Sequence, residues 1–364
     1  MKKSLIIVCL MLISILMYAQ DGLNIGGELK LRNRINLEPE GTKPGFEFYE
    51  LEFFIDGDVS DYASFYIEYT LMHKTKPEAE NVWMDLHAPM RPAFAHGGMG
   101  LRLGNFHVPF GFENDDNEGY MYQGRASVNH SLVHGMSDID GWKMRQRQIG
   151  IVGTYSVGPL TAWAGMFNGN GGWNNYGGSD NNMWDYDFSL KTEVQAANIA
   201  FGASHWMAPG TDTTDENFKP DTGVYHSRDI TRTGVHFKYP ASSLFVSEDA
   251  ALGGEKFLIF GEYIMGSHKE NDWDQIGDID MSGYFVEAQL GVIPQTLVAF
   301  VRYDAYDPNT DADDTEYMAI TPGINWFFWN SMRFIAEYDH IAKTGDDDST
   351  SLQDRVALEI SLTF

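Results

Sequence analysis

Short runs in which every second residue is apolar recur along nearly the whole chain, the two-residue period of a strand with one greasy and one polar face. They predict strands at 22–37, 44–58, 61–73, 81–89, 98–108, 146–157, 159–168 and 184–195. A second group follows at 197–207, 230–240, 256–267, 281–292, 295–306, 315–328, 331–343 and 352–364. The count is 16, and an even number is what a closed antiparallel barrel with both ends on one side requires. The weakly alternating 243–251 is read as a connection, because a strand there would reverse the parity of every later one.

The connections support the same reading, since a membrane barrel joins its strands by long loops at one end and short turns at the other. The long set is 109–145, 168–183, 208–229 and 268–280, with shorter acidic members at 38–43, 74–80, 307–314 and 344–351. The short set includes Ser60-Asp61, Gly158-Pro159, Ala196-Ala197, Ile293-Pro294 and Asn330-Ser331. Two connections on the short side, 90–97 and 241–255, are longer than the pattern wants.

Alternation also assigns faces. Ala63, Phe65, Ile67, Tyr69 and Leu71 share a lipid side, opposite Ser64, Tyr66, Glu68 and Thr70. Tyr49, Leu51, Phe53 and Ile55 are expected outward, leaving Glu50, Glu52 and Asp56 inside. With Leu29, Leu31 and Ile35 outward, Lys30, Arg32 and Arg34 form an inward basic ladder with rungs about 7 Å apart. Trp83, Tyr155, Trp163, Trp326, Phe327, Phe328 and Trp329 fall near strand ends, and are expected to form girdles at the lipid headgroups. In the last strand, Val356, Leu358, Ile360, Leu362 and Phe364 make one apolar face.

Composition narrows the class. Lys2 and Lys3 precede an apolar run from Leu5 to Met17 and then Met17-Tyr18-Ala19, which reads as a secretory signal over 1–19. The remainder, 20–364, is then a single barrel domain. Cys9 lies too early in the apolar run for a lipoprotein signal, and it is the one cysteine. No later stretch approaches the roughly 20 apolar residues of a membrane helix. A net charge of −27 argues against nucleic acid as a partner, because phosphate neutralisation needs clustered Lys and Arg. The expected surroundings are the bacterial outer membrane, that is, lipid bilayer and lipopolysaccharide.

Candidate chemistry concentrates on the inner wall and the longest loop. Loop 109–145 is the third on the long-loop side and is a candidate constriction. It offers Arg125, His130, His134, Lys143 and Arg145, with Arg147 just beyond, beside Asp115, Asp116 and Glu118. Opposed charges at a narrow point create a transverse field that ranks solutes by charge and dipole. On the wall, Lys30, Arg32 and Arg34 would either pass an anion along successive charge-assisted hydrogen bonds, or pair across strands with Glu50 and Glu52. Arg102, Arg302 and Arg333 add isolated cations, answered by Glu262, Glu337 and Asp339.

Metal and catalytic readings are weaker. His130 and His134 with Asp138 have helical spacing for a metal but lack the Glu of the zinc-hydrolase motif. Asn309, Asp311 and Asp313 mimic the opening of a calcium loop without its central Gly and closing Glu, and suit loose cation bridging to lipopolysaccharide better. No Gly-x-Ser-x-Gly is present, so neither a metal, a cofactor nor an enzyme is expected.

The segment Leu101-Arg102-Leu103-Gly104-Asn105-Phe106-His107-Val108-Pro109-Phe110-Gly111-Phe112-Glu113 resembles a strand-and-turn of the phosphate-selective porin O and P family, in which a Gly-Gln-Phe-Lys-like stretch leads into Pro-Phe. Arg147-Gln148-Ile149-Gly150-Ile151 resembles that family's Arg-Asp-Ile-Gly element, with Gln148 in place of the acid. His107 stands where the family carries lysine. The resemblance implies a trimeric outer-membrane porin whose third loop narrows the channel, passing small hydrophilic solutes or ions, with anions such as phosphate among them. The competing reading is a receptor or adhesin barrel closed by its long loops, with Trp173, Tyr176 and Trp184 as sugar-stacking candidates.

Overall fold

All sixteen expected strands form, and their order in the sheet is their order in the chain. They are β1 (Leu23–Asn36), β2 (Phe46–Ser60), β3 (Ala63–His73), β4 (Glu78–His87), β5 (Gly97–His107), β6 (Arg147–Val157), β7 (Leu160–Phe167) and β8 (Asp187–Ala196). The ring continues with β9 (Ile199–Asp212), β10 (Ser227–Pro240), β11 (Phe257–Glu270), β12 (Ile279–Ile293), β13 (Leu297–Asp307), β14 (Tyr317–Trp329), β15 (Met332–Lys343) and β16 (Gln353–Thr363). The computed structural model describes residues 23–37, 46–73, 78–87, 97–112, 127, 131–134, 147–168, 187–196, 199–212, 227–240, 257–270, 278–293, 296–312, 315–329, 331–343 and 353–364. The predicted signal over 1–19 and the weak segment 243–251 lie outside them.

Each strand pairs antiparallel with its neighbours, and β1 pairs with β16 over Glu28↔Thr363 to Asn36↔Arg355, so the sheet closes as a barrel. Closure removes the exposed edges that an open sheet must otherwise protect. At the seam, Gly27 N–H donates to Phe364 O at 2.9 Å and Phe364 N–H donates to Gly27 O at 3.0 Å. Gly27 permits this approach, since a Cβ there would strike the Phe364 ring. That ring meets Phe53 edge-on at 5.8 Å.

Alternation sorts the two faces as expected. Ile25, Tyr69, Leu101, Ile151, Val235, Val301, Ile324 and Phe364 are exposed apolar side chains on the outside. Lys30, Arg32, Glu50, Glu52, Thr70, Arg302, Asp339 and Glu359 are buried on the inside. The outer set needs lipid and the inner set needs polar partners, which fixes the sheet's register against a one-residue slip. Val301, near the middle of β13 and 47% exposed, tests the lipid face. Val301→Arg is expected to destabilise the barrel by about 2–4 kcal/mol, measured by urea unfolding from phospholipid vesicles; an unchanged midpoint would place that face away from lipid.

Two face assignments change. The register of β1 on β2 shifts between Lys30↔Glu50 and Leu31↔Phe48, leaving Tyr49 as the additional residue of a β-bulge. Phe48 therefore takes the outward position, and the Tyr49 ring turns inward to lie 3.5 Å from the Arg32 guanidinium carbon. The aromatic girdle is also smaller than expected. Tyr155 and Trp326 are outward, the latter packed on Phe328 at 5.2 Å. Trp83 and Trp163 instead pack inward against the buried cluster around Phe106, Phe167 and Trp206. Phe327 shares the inward alternation of buried Thr321 and Asn325, and the Trp329 side chain lies outside the described residues.

Candidate functional site

The described pieces of 109–145 all lie against the inner wall. Pro109-Phe110-Gly111-Phe112 continues from β5 and turns across to β9–β12. Gly111 N–H donates to Ser204 Oγ of β9 at 2.9 Å, and Phe112 N–H donates to Glu262 Oε2 of β11 at 3.2 Å. Gly111 sits at φ +58° and a Cβ there would collide with the Glu262 carboxylate, so only glycine fits both the backbone and the space. Phe110 is fully buried beside Gly234, and Phe112 packs with Leu258, Phe260 and Phe285.

Further along, Ser127 Oγ donates to Glu337 Oε2 at 2.8 Å, and Leu132 N–H donates to Asp304 Oδ1 at 3.2 Å. Leu132 opens a single 3-10 turn, Leu132–His134. Leu132 and Val133 join the same buried cluster as Phe106, Ile264 and Tyr306. Gly283 of β12 leaves the room that Val133 fills, since a Cβ on it would meet the valine methyl. Loop and wall are thus matched by apolar burial, worth about 25 cal/mol per Å², and by hydrogen bonds to inward carboxylates.

The remaining loop candidates Asp115, Asp116, Glu118, Arg125, His130, Lys143 and Arg145 lie outside the described residues, as does the His134 side chain. Arg147 opens β6 directly opposite His107 of β5. It shares the alternation of Ile149 and Ile151, opposite the buried inward Gln148.

The basic ladder is inward, and its lower rungs are closed by carboxylates. Lys30 Nζ lies 2.8 Å from Glu50 Oε2 and 3.4 Å from Glu28 Oε2. Arg32 Nε donates to Glu359 Oε2 at 2.8 Å across the β1–β16 seam, with Tyr49 stacked on its face. Arg34 stands 5.8 Å from the same ring. Arg333 reaches the other oxygen of Glu359 at 3.5 Å. Arg355 donates to Asp339 at 2.6 and 3.0 Å, and Arg302 donates to Asp304 at 2.9 Å. At these positions the wall sets its cations against carboxylates in charge-assisted bonds, whereas buried Arg232 donates to the backbone carbonyls of Thr231 and Ser267. The predicted answers Glu262 and Glu337 hold the loop, through Phe112 N–H and Ser127 Oγ.

Exposure divides the lumen. In β9–β16, inward Arg232, His236, Glu287, Arg302, Asp304 and Glu337 are all buried. In the short-turn half of β3–β7, inward Ser64, Tyr66, Asp85, Arg102, Thr154 and Ser156 are half-exposed. Gly98 and Gly100 add no side-chain bulk to that stretch. Arg102 donates to Asp85 from Nε at 2.7 Å and from Nη2 at 2.8 Å. Its guanidinium lies 4.5 Å from the Trp83 ring, and Trp83 stacks on Tyr66 at 4.3 Å. Arg102 was legible as an inward cation; Asp85, Trp83 and Tyr66 as its partners were not singled out, although alternation places all of them on one face.

Known proteins bear on this arrangement in two ways. The profile described as phosphate-selective porin O and P matches residues 31–364. Among solved structures, the trimer form of OmpT, an outer membrane protein of Vibrio cholerae, superposes with TM-score 0.60 at 14% identity, over 94% of this chain and 100% of that one. The outer membrane channel DcaP of Acinetobacter baumannii gives 0.62 at 11% identity, over 94% and 97%. An anion-selective porin from Comamonas acidovorans gives 0.60 at 13% identity, over 94% and 99%. Comparison with curated proteins yields no match.

Proposed function

Because the chain belongs to the phosphate-selective porin O and P family and is an outer-membrane porin for small solutes, we propose that solutes pass along the inner face of β3–β7, past a constriction made by loop 109–145. The observation that carries this reading is the run of half-exposed inward groups in the short-turn half of those strands, facing strands on which inward Arg232, His236, Glu287, Arg302, Asp304 and Glu337 are buried. Solutes move down their gradient; the protein contributes a wall, a narrow place and a local field. A homotrimer embedded in bilayer and lipopolysaccharide is the assembly in which it would act, in keeping with the trimer form solved for the Vibrio cholerae protein.

Ion preference follows from the pairing. An anion track needs cations open to the path, whereas Lys30 and Arg32 are each closed by a carboxylate within 2.8 Å. Together with the −27 charge of the chain, this favours a weak preference for cations over phosphate selectivity. The test is single-channel recording in a planar bilayer under a potassium chloride gradient. Stable open steps with a small reversal potential of cation sign are expected; a strongly anion-selective potential would overturn the preference. Folded protein that never conducts would overturn the channel path and favour a barrel closed by its loops.

A further inference from the structure

Among the inward arginines Arg32, Arg102, Arg302, Arg333 and Arg355, each paired with a carboxylate, Arg102 is the most exposed. Its side chain is 39% exposed, against 6% for Arg32, 1% for Arg302, 16% for Arg333 and 5% for Arg355. Its partner Asp85 is 21% exposed. The pair is held rigidly: the guanidinium is fixed by two hydrogen bonds on one edge and by the Trp83–Tyr66 stack on its face. Opposite Trp83 in the register is Gly104 at φ +140°, so no side chain stands between the indole and the guanidinium at that position.

We propose that Arg102, Asp85 and Trp83 form a contact subsite for small zwitterionic solutes, such as amino acids and short peptides. This rests on the path along β3–β7 given above. The physical reason is that the pair is neutral from a distance, and opposite charges this close cancel beyond about a Debye length of 8–10 Å. It draws in neither anions nor cations. At contact, however, it presents guanidinium N–H donors beside a carboxylate, on a flat apolar floor. A solute carrying its own carboxylate and ammonium satisfies both at once. A simple anion satisfies the guanidinium while facing Asp85, and a simple cation meets the reverse conflict. Discrimination of this kind uses a repulsive element for each wrong partner as well as an attractive one for the right solute.

The experiment is solute-uptake ranking in proteoliposomes, using diglycine, succinate and diaminobutane as zwitterion, anion and cation of similar size. The unsubstituted channel is expected to take up diglycine several-fold faster than either ion. Asp85→Asn is expected to shift the ranking toward succinate and Arg102→Gln toward diaminobutane, each abolishing the diglycine preference. Heat-modifiable gel mobility reports folding, and Trp83→Leu supplies a third variant that weakens the floor without changing charge. A ranking unmoved by both charge variants would overturn the subsite, as would a preference for succinate lost only with Arg102. The path itself is read separately: Thr154→Cys treated with a bulky neutral methanethiosulfonate should cut conductance. Block with an unmoved ranking removes the subsite alone; absence of block removes the path and the subsite with it.

Discussion

Gly111→Val is expected to raise single-channel conductance, because it undocks the turn that ties the third loop to the opposite wall. The substitution meets two obstacles at once. The backbone at φ +58° is left-handed, and a Cβ there would overlap the Glu262 carboxylate. A non-glycine residue forced into such a conformation costs about 1–3 kcal/mol, which shifts the ratio of docked to undocked loop by roughly 5- to 150-fold. Relief by moving Glu262 loses the bond to Phe112 N–H, so either escape loosens the loop. Gly158→Ala is the control. Gly158 also has a positive φ, +56°, but nothing lies within 4 Å of the added carbon, and it sits in the β6–β7 turn far from the loop. It carries the backbone strain and should leave conductance unchanged. Equal conductance for Gly111→Val and the unsubstituted channel would mean that the docked turn does not limit the opening.

Glu359→Gln is expected to cost the barrel about 3–5 kcal/mol of stability. Its carboxylate is 2% exposed and serves Arg32 on one side and Arg333 on the other, so that strands β1, β15 and β16 share one anion. Removing one partner of a buried ion pair typically costs about 3–5 kcal/mol, since the remaining charge stays desolvated and uncompensated. Here two guanidinium groups lose the same partner. The measurement is the urea midpoint of the refolded barrel, read beside its reversal potential. The midpoint should fall and selectivity should move toward anions. Combining Glu359→Leu with Arg32→Met and Arg333→Met should recover much of the loss, because a buried ionic cluster replaced by apolar groups of similar volume is often nearly neutral. A single variant with unchanged midpoint would show that water, rather than Glu359, solvates those cations.

Much of this architecture is legible in the chain because the bilayer imposes a two-residue period wherever a strand crosses it. The misreadings fall where that constraint stops. β9 runs to Asp212, β10 begins at Ser227 and β11 continues to Glu270, each beyond its expected end. Those extensions carry Asp212, Arg228, Asp229, Lys269 and Glu270 among few apolar residues, and pairing persists there after the greasy alternation has gone. β4 ends at His87, short of Pro89, whose missing N–H cannot join a ladder. Tyr49 was misplaced because a bulge adds a residue without leaving a compositional mark. Trp83 was misplaced for a different reason. Val82, Met84 and Leu86 already put it inward by parity, and assigning it by residue type alone overrode that. The loop's course was not readable, since alternation fixes faces and says nothing about connections. One hint was available: Glu262 is an inward acid in an otherwise apolar stretch, Phe257 to Met265, a position that demands a hydrogen-bond donor from somewhere else in the fold.

The seam between β1 and β16 also governs how the protein can come into being. Arg32 and Glu359 are separated by 327 positions, and bringing the ends of so long a segment together costs about 5 kcal/mol of chain entropy. Until that meeting occurs, both terminal strands present unpaired N–H and C=O groups that hydrocarbon cannot solvate. A sheet of sixteen strands joined by fifteen pairings is therefore no nearly finished barrel; it has two raw edges and no stable resting place in lipid. Maturation should be all-or-none, with the last pairing event acting as a checkpoint. A defect that weakens the seam would appear as lost yield in the membrane before any change in the channels that do form.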